Sequence, residues 1–292
     1  AVTFRVSLPP PPYRILAPND SYTSSSLGAN ILYGGGGNDT LKVTAGAYNA
    51  LYGEDGDDYL SVSVGGYNKL SGGSGNDTLY VSVGLYNDLS GGDGNDTITV
   101  GAGASADIDG GSGNDTITVG YGGYVVVTDS SGDNTITYNA AAGKVTTGSG
   151  ADKITVTAAS NKISSGDGND TISATAASNT IDAGSGNNTI SVTAAYNSIS
   201  ATSGNDTVSA TGGYNTISVG DGTNAVTAIQ PYISNNFATA TGVYATSGSI
   251  TGSTIGRTAA TFSATQYNNS LSTLADVQNV FWPNIVEPAF FT

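Results

Sequence analysis

The chain contains no cysteine, no histidine and no methionine, and its 292 residues include a single tryptophan. Without thiols there are no disulfides and no thiolate metal sites; without imidazoles there is no Ser-His relay, no Cys-His pair and no His-ligated zinc. Paired carboxylates such as Asp57 and Asp58 are left as acid and base candidates, but they recur within a turn motif and form no isolated site. The chain therefore reads as a non-enzyme. Positive charge is scarce too: eight Lys and Arg stand against 23 Asp and Glu, a net charge of −15. That balance argues against nucleic acid or anionic membrane as a partner, since both would repel the chain, and makes multivalent cations the natural counter-species. No apolar run approaches the roughly 18 residues of a membrane-spanning helix, so no membrane insertion is expected. The N-terminus lacks the basic-then-apolar pattern of a signal peptide. Because the numbering starts at Ala1 and Met is absent throughout, removal of an initiator Met, with or without a leader, is expected. An acidic, cysteine-free chain with a metal-held fold suits the exterior of a bacterium, secreted or at the cell surface.

Large apolar side chains are few for this length: 38% of residues are hydrophobic and 42 are glycine. A thick globular core is excluded in favour of a thin, repetitive one. Self-similarity is the strongest signal in the sequence. Aligned on their Gly-rich segments, eleven copies begin near Gly34, Gly53, Gly72, Gly91, Gly110, Asp129, Thr147, Ser165, Ala183, Ala201 and Val219, at a period of 19 residues up to Asp129 and 18 thereafter. The clearest read GGSGNDTLYV, GGDGNDTITV and GGSGNDTITV, a turn followed by a strand. The second half of each period supplies another turn and strand, as in SVGGYNKL and TAAYNSI. Each period is one two-stranded coil. Alternation by two directs Leu79, Val81, Ile98, Val100, Ile117 and Val119 inward from the first strand, and Leu70, Leu89, Ile108, Ile163, Ile181 and Ile199 from the second. A single coil buries almost nothing, so a core forms only by stacking, at about 4.8 Å per coil and on the order of 50 Å in total.

Two ladders run along such a stack at opposite turns. On one, Asn30, Asn49, Asn68, Asn87, Asn161, Asn179, Asn197 and Asn215 recur, often behind a tyrosine such as Tyr48, Tyr67, Tyr86, Tyr196 or Tyr214. Asn shares parity with the inward Leu or Ile two residues on, which marks a buried amide ladder serving turn backbone groups. The tyrosines are read as a structural stack, with a binding strip as the alternative. On the other turn, Gly37, Gly56, Gly75, Gly94, Gly113, Gly132, Gly150, Gly168, Gly186, Gly204 and Gly222 hold one position in all eleven copies, a backbone conformation that only glycine adopts cheaply. Two residues later come Asp39, Asp58, Asp77, Asp96, Asp115, Asp152, Asp170 and Asp206, with Asn134, Asn188 and Asn224 in the remaining copies. Stacked carboxylates repel by about 1 kcal/mol per neighbouring pair in water and about 3 to 4 near a protein surface. Calcium, which takes six to eight oxygens, reverses the sign, the turns offering both carboxylates and glycine carbonyls; magnesium demands tighter geometry. The candidate metal residues are these eight aspartates with Gly37, Gly56, Gly75, Gly94, Gly113, Gly150 and Gly168.

The three quoted segments resemble the G-G-x-G-x-D-x-U-x nonapeptide of the repeats-in-toxin (RTX) family, U being a large apolar residue. The resemblance covers roughly residues 32–228. It implies an all-β fold, a right-handed parallel β-roll or β-solenoid that binds Ca2+ between adjacent turns, folding outside the cell after type I secretion with an uncleaved C-terminal signal. The family carries the Gly-rich nonapeptide on both edges of the roll and this chain on one only, so several ions are expected in a single row, weakening where Asn134, Asn188 and Asn224 replace Asp.

Three regions follow: an N-terminal arm with a Pro-rich spacer (residues 1–30), the solenoid (31–228) and a C-terminal segment (229–292) that acts as cap, secretion signal or assembly contact. In the arm, the strand-like residues 2–8 precede Pro9, Pro10, Pro11 and Pro12, a stiff spacer. That strand either adds to the sheet of a neighbouring molecule or caps its own solenoid. A short helix is expected over 273–281, before an apolar end with Phe281, Trp282, Ile285, Val286, Glu287, Phe290 and Phe291. Nearly the whole chain is scaffold with two unusual ends. It reads as an extracellular, calcium-dependent structural protein, a self-assembling building block of a fibre, surface layer (S-layer) or matrix that associates through those ends. The alternative is an adhesin or ice-binding RTX segment, since Asn38, Asn76, Asn95 and Asn114 preserve one partner of a regular Thr and Asn array. The Thr position of that array holds Gly36, Asp55, Ser74, Asp93 and Ser112 instead.

Overall fold

A computed structural model describes residues 17–101, 105–122 and 124–228, and the backbone alone of Thr3–Phe4, Arg14–Ile15, Tyr232–Ser234, Thr239–Ala245 and Ile250–Thr251. The proline spacer, the helix expected over 273–281 and the apolar C-terminal residues lie outside the described residues.

Every regular element among these residues is a strand, and every pairing is parallel. The chain alternates between two sheets of fourteen strands each, so strands two apart in sequence are neighbours in space. This is the β-solenoid expected from the repeat. Leu79 lies opposite Ile98, Ile98 opposite Ile117 and Ile117 opposite Ile136 in one sheet; Leu70, Leu89 and Ile108 align in the other. All twelve side chains expected to point inward are buried. Two facing aliphatic ladders thus form one continuous thin core. Strand pairing extends past both bounds read from the sequence: Ser21–Ser24 pairs with Thr40–Val43, and Thr223–Ala228 with Thr239–Ala245. Thr3–Phe4 pairs with Ser21 and Tyr22 of its own chain, the capping arrangement of the two considered for that segment.

The change of period is localised to one turn. Thr116 lies opposite Thr135, nineteen residues on, and Thr135 opposite Lys153, eighteen on. In the second sheet Ala106 faces Val125, nineteen on, but Val126 faces Lys144, eighteen on. The residue is therefore lost between Tyr138 and Lys144, in the Asn-bearing turn, and the acidic turn keeps its length. Here the amide ladder is interrupted, since Ala106, Val125 and Gly143 stand where Asn would be. The buried Tyr138 hydroxyl fills the gap by donating to the Val125 carbonyl at 2.6 Å, which requires Gly143 to have no side chain. Burial of the phenol pushes its pKa up to about 12.

Candidate calcium-binding turn column

The acidic turn is set by glycine at one position. Gly75 has φ of 130° and Gly94 of 124°, and a Cβ on either would run into a carbonyl of the preceding coil. Nine of the glycines at this position donate their N–H to the next coil, as Gly75 does to Asp93 O at 2.8 Å. The turns are consequently locked in register. The residue two further on re-enters the strand with the parity of the core, so Asp39, Asp58, Asp77, Asp96, Asp115, Asp152, Asp170 and Asp206 all point inward and are at most 3% exposed.

One carboxylate oxygen of each rung is accounted for. Oδ1 of Asp58 accepts the Asp39 N–H at 2.6 Å, Oδ1 of Asp77 that of Asp58 at 2.7 Å, and Oδ1 of Asp96 that of Asp77 at 2.7 Å. Asn134, Asn188 and Asn224 continue the same pattern, accepting from Asp115, Asp170 and Asp206 at 2.8 to 2.9 Å. Asp20, a rung not recognised from the sequence, begins the ladder by donating its N–H to Asp39 Oδ1 at 2.6 Å.

The second atom separates Asp from Asn. In Asn134 and Asn188 it is an amide Nδ2 that donates to the Gly132 and Gly186 carbonyls at 3.0 and 3.2 Å, and in Asn224 to Gly220 at 3.1 Å. In all eight aspartates it is Oδ2, buried and without a hydrogen-bond partner. An oxygen has replaced a donor among carbonyl oxygens. Such a group must acquire a proton or a cation. Burial, the leading cause, raises every one of these pKa values, to about 6 for Asp58 and Asp96 and about 7 for Asp77; the accepted backbone N–H opposes it, and for these three neighbouring carboxylates raise the pKa further. Asp39, Asp115, Asp152, Asp170 and Asp206 shift in the same direction, again chiefly through burial.

A hard divalent cation suits this donor set: one orphaned carboxylate oxygen per coil beside glycine carbonyls of adjacent coils. A Cβ on Gly53 would overlap Asp58 Oδ2 and the Gly72 carbonyl, and one on Gly72 or Gly91 would do the same in the next coils, so these glycines leave the space beside the carboxylate clear. Among the described residues no three acidic side chains converge on one point, so backbone carbonyls and water must complete any coordination shell.

One carboxylate was missed in the sequence. Asp129 occupies the place of the first glycine of the GG pair, is 5% exposed, and turns its own orphaned Oδ2 toward Gly110, where Asp115 Oδ2 also lies. Burial first and the Asp115 carboxylate second push its pKa to about 8. The only signal available was an acid where neighbouring copies have glycine.

The opposite turn needs no ion. Asn49 Oδ1 accepts the N–H of Asn30 at 3.0 Å, Asn179 Oδ1 that of Asn161 at 2.8 Å, and the amides donate to turn carbonyls, as Asn197 Nδ2 does to Ala194 at 2.9 Å. Tyr48, Tyr67 and Tyr86 stack outside this ladder with ring centroids 5.0 Å apart, each at positive φ.

A family model described as the RTX calcium-binding nonapeptide repeat matches residues 25–48, 52–84, 87–104, 107–123, 146–181, 164–199 and 200–228, more than half of the chain. No curated protein and no solved structure matches it. RTX repeats bind Ca2+ within the turns of a β-roll, their proteins are typically secreted by bacteria, and the repeats serve structural or binding roles more often than catalytic ones. The matched segments cover all but one of the turns whose aspartates lack a partner for Oδ2, and the chain belongs to the RTX calcium-binding repeat family.

Proposed function

We propose that the protein is a calcium-dependent structural element outside the cell, a building block of a fibre, surface layer or matrix. Calcium is held in one row by Oδ2 of the column aspartates and by carbonyls of the turn glycines, the rungs with Asn134, Asn188 and Asn224 contributing no charge. The observation that carries this reading is the strand order: among the described residues both sheets end on parallel strands paired along one edge only, Thr3–Phe4 and Thr239–Ala245 in one, Arg14–Ile15 and Ile250–Thr251 in the other. Edges of that kind accept a further strand, and head-to-tail addition along the solenoid axis is an open, fibre-forming geometry. The two end segments, 1–16 and 229–292, then regulate or make the contact. Electron microscopy tests this directly: filaments or sheets are expected in calcium and isolated particles in chelator, and removal of residues 1–12 is expected to leave a folded, unassembled chain. Isolated rods under both conditions, or unchanged assembly after truncation, would overturn the corresponding part.

A second reading as an ice-binding or adhesive face has one observation in its favour. Thr97, Thr116 and Thr135 align in register, as do Thr99, Thr118, Thr137 and Thr155, on an outer sheet face. Lys153 interrupts the first column. A thermal-hysteresis measurement decides between the two readings, since a building block without an ice-binding face gives none.

A further inference from the structure

The acidic column is not uniform along the solenoid. Asp39, Asp58, Asp77, Asp96 and Asp115 follow one another without interruption, and each has a glycine, Gly34, Gly53, Gly72, Gly91 or Gly110, at the first position of its turn. Beside these glycines lie the orphaned Oδ2 atoms and, for the first four, the carbonyl of the next coil's glycine. Past Asp129 the same position holds Thr147, Ser165, Ala183, Ala201 and Val219, all buried at 5% exposure or less. Their side chains point into the column, into the space that glycine leaves empty earlier. The charges thin out as well, with Asn188 and Asn224 separating Asp170, Asp206 and the end of the row.

Asp129 stands at the junction. In its coil the rung position is neutral, Asn134, and the carboxylate has moved to the first position, where it faces back toward the preceding coil. There its Oδ2 and that of Asp115 flank Gly110, both buried and both without a hydrogen-bond partner. Two orphaned carboxylate oxygens meeting in one buried place call for a cation between them more strongly than any single-carboxylate rung.

From this we infer that Asp115 and Asp129 form a two-carboxylate calcium site, the tightest in the molecule, which terminates a calcium row confined to the coils of Gly34 to Gly110, and that the coils from Thr147 onward stack without metal. The inference rests on the calcium reading proposed above and narrows it: Asp152, Asp170 and Asp206, counted in the row there, fall outside it here. In the metal-free half the plugging side chains occupy the space beside the carboxylates, Thr147 at Asp152 and Ser165 at Asp170; Thr147 Oγ1 donates to the Ser165 carbonyl at 2.8 Å and Ser165 Oγ to that of Ala183 at 3.2 Å, so hydroxyls tie successive coils along the column. Ala183, Ala201 and Val219 then fill it with apolar atoms. Calcium affinity rises with the number of charged ligands, which places the Asp115 and Asp129 pair above the single-aspartate steps.

The test is calcium titration of the whole chain by calorimetry, with hydrogen exchange measured along the sequence in calcium-free and calcium-saturated buffer. Asp129→Asn, Asp170→Asn and Asp206→Asn serve as variants; the last two introduce at the rung position a residue that Asn134, Asn188 and Asn224 already provide there. We expect one tight class and several weaker sites. Asp129→Asn, which removes the charge at nearly constant shape, should weaken the tight class by on the order of tenfold to a hundredfold, whereas Asp170→Asn and Asp206→Asn leave the isotherm unchanged. Calcium should slow amide exchange across residues 34–134 and leave 147–228 as they were. Loss of an ion in Asp170→Asn or Asp206→Asn, equal protection of both halves, or an unaltered tight class in Asp129→Asn would each overturn the inference while leaving calcium binding intact. No uptake of calcium by the unmodified chain would instead remove the calcium reading itself.

Discussion

Removing calcium should destabilise the acidic part of the solenoid at pH 8 far more than at pH 5. The coil spacing is given by the stacked rings of Tyr48 and Tyr67, 5.0 Å apart. At that separation two unit charges repel by about 1 kcal/mol in water and about 3 kcal/mol at the effective dielectric of a protein surface. From Asp39 to Asp115 there are four neighbouring pairs, so a fully ionised column costs about 3 to 13 kcal/mol, comparable with the whole stability of an ordinary domain, about 5 to 15 kcal/mol. The calcium-free chain escapes by protonation. Because the folded-state pKa values stand above the ordinary 3.8, at about 6 for Asp58 and Asp96, 7 for Asp77 and 8 for Asp129, the folded state holds more protons than the unfolded one between these limits. Stability is then fully present below pH 4 and is lost as pH rises through 6 to 8. Calcium at a hundredfold excess over its dissociation constant returns about 2.7 kcal/mol per site, enough over several sites to offset the repulsion. The assay is thermal melting by circular dichroism on protein stripped over a chelating resin, at pH 5 and pH 8, with and without added calcium. A net loss of about 4 kcal/mol lowers the midpoint by roughly 10 °C in a chain of this size, and calcium should restore it at pH 8 while changing little at pH 5. A calcium-free protein as stable at pH 8 as at pH 5, or a midpoint at pH 8 indifferent to calcium, refutes the reasoning.

Four substitutions probe the rest of the scaffold in saturating calcium. Gly94→Ala places a side chain at φ 124° and against the Gly75 carbonyl, and should destabilise the fold by about 2 kcal/mol or more in chemical denaturation, with loss of assembly competence if the turns slip. Tyr138→Phe leaves the Val125 carbonyl without its donor and should cost about 1 to 3 kcal/mol; Tyr86→Phe, on an exposed ring, should cost nothing measurable. Asn197→Ala removes both the acceptor of the Asn179 N–H and the donor to Ala194, and about 2 kcal/mol or more should disappear independently of pH and calcium, because that ladder is neutral.

The repeat makes most of this architecture legible in the sequence. Period, parity and turn glycines were enough to place the aliphatic ladders, the inward Asn amides and the acidic column, because each follows from a rule that acts within one coil and is then copied. What escaped notice arises between coils or at a departure from the copy. Asp129 stands in the sequence only as the start of the sixth copy, and only stacking reveals that its carboxylate turns back onto Asp115. The lost residue at the change of period was visible as a count, but its assignment to the Tyr138 turn required the register on both sheets. That Asp20 begins the ladder was hidden because Pro18 stands where the later turns have glycine.

The two ladders share one backbone device and differ by one atom. In both, an Oδ1 from the next coil accepts the N–H of the rung before it, so either turn alone fixes the register of stacking. On the Asn side the remaining atom is a donor that satisfies a carbonyl of its own turn, and the ladder is complete without help. On the Asp side the remaining atom is an acceptor placed among acceptors, and the same geometry is uphill until charge is supplied. An all-Asn solenoid would stack under any conditions; an all-Asp one would have no neutral seam to hold coils in register while ions arrive. Joining a self-sufficient ladder to a conditional one on opposite edges of a thin core makes coil stacking, and anything built by continuing it, responsive to calcium through nearest-neighbour contacts alone.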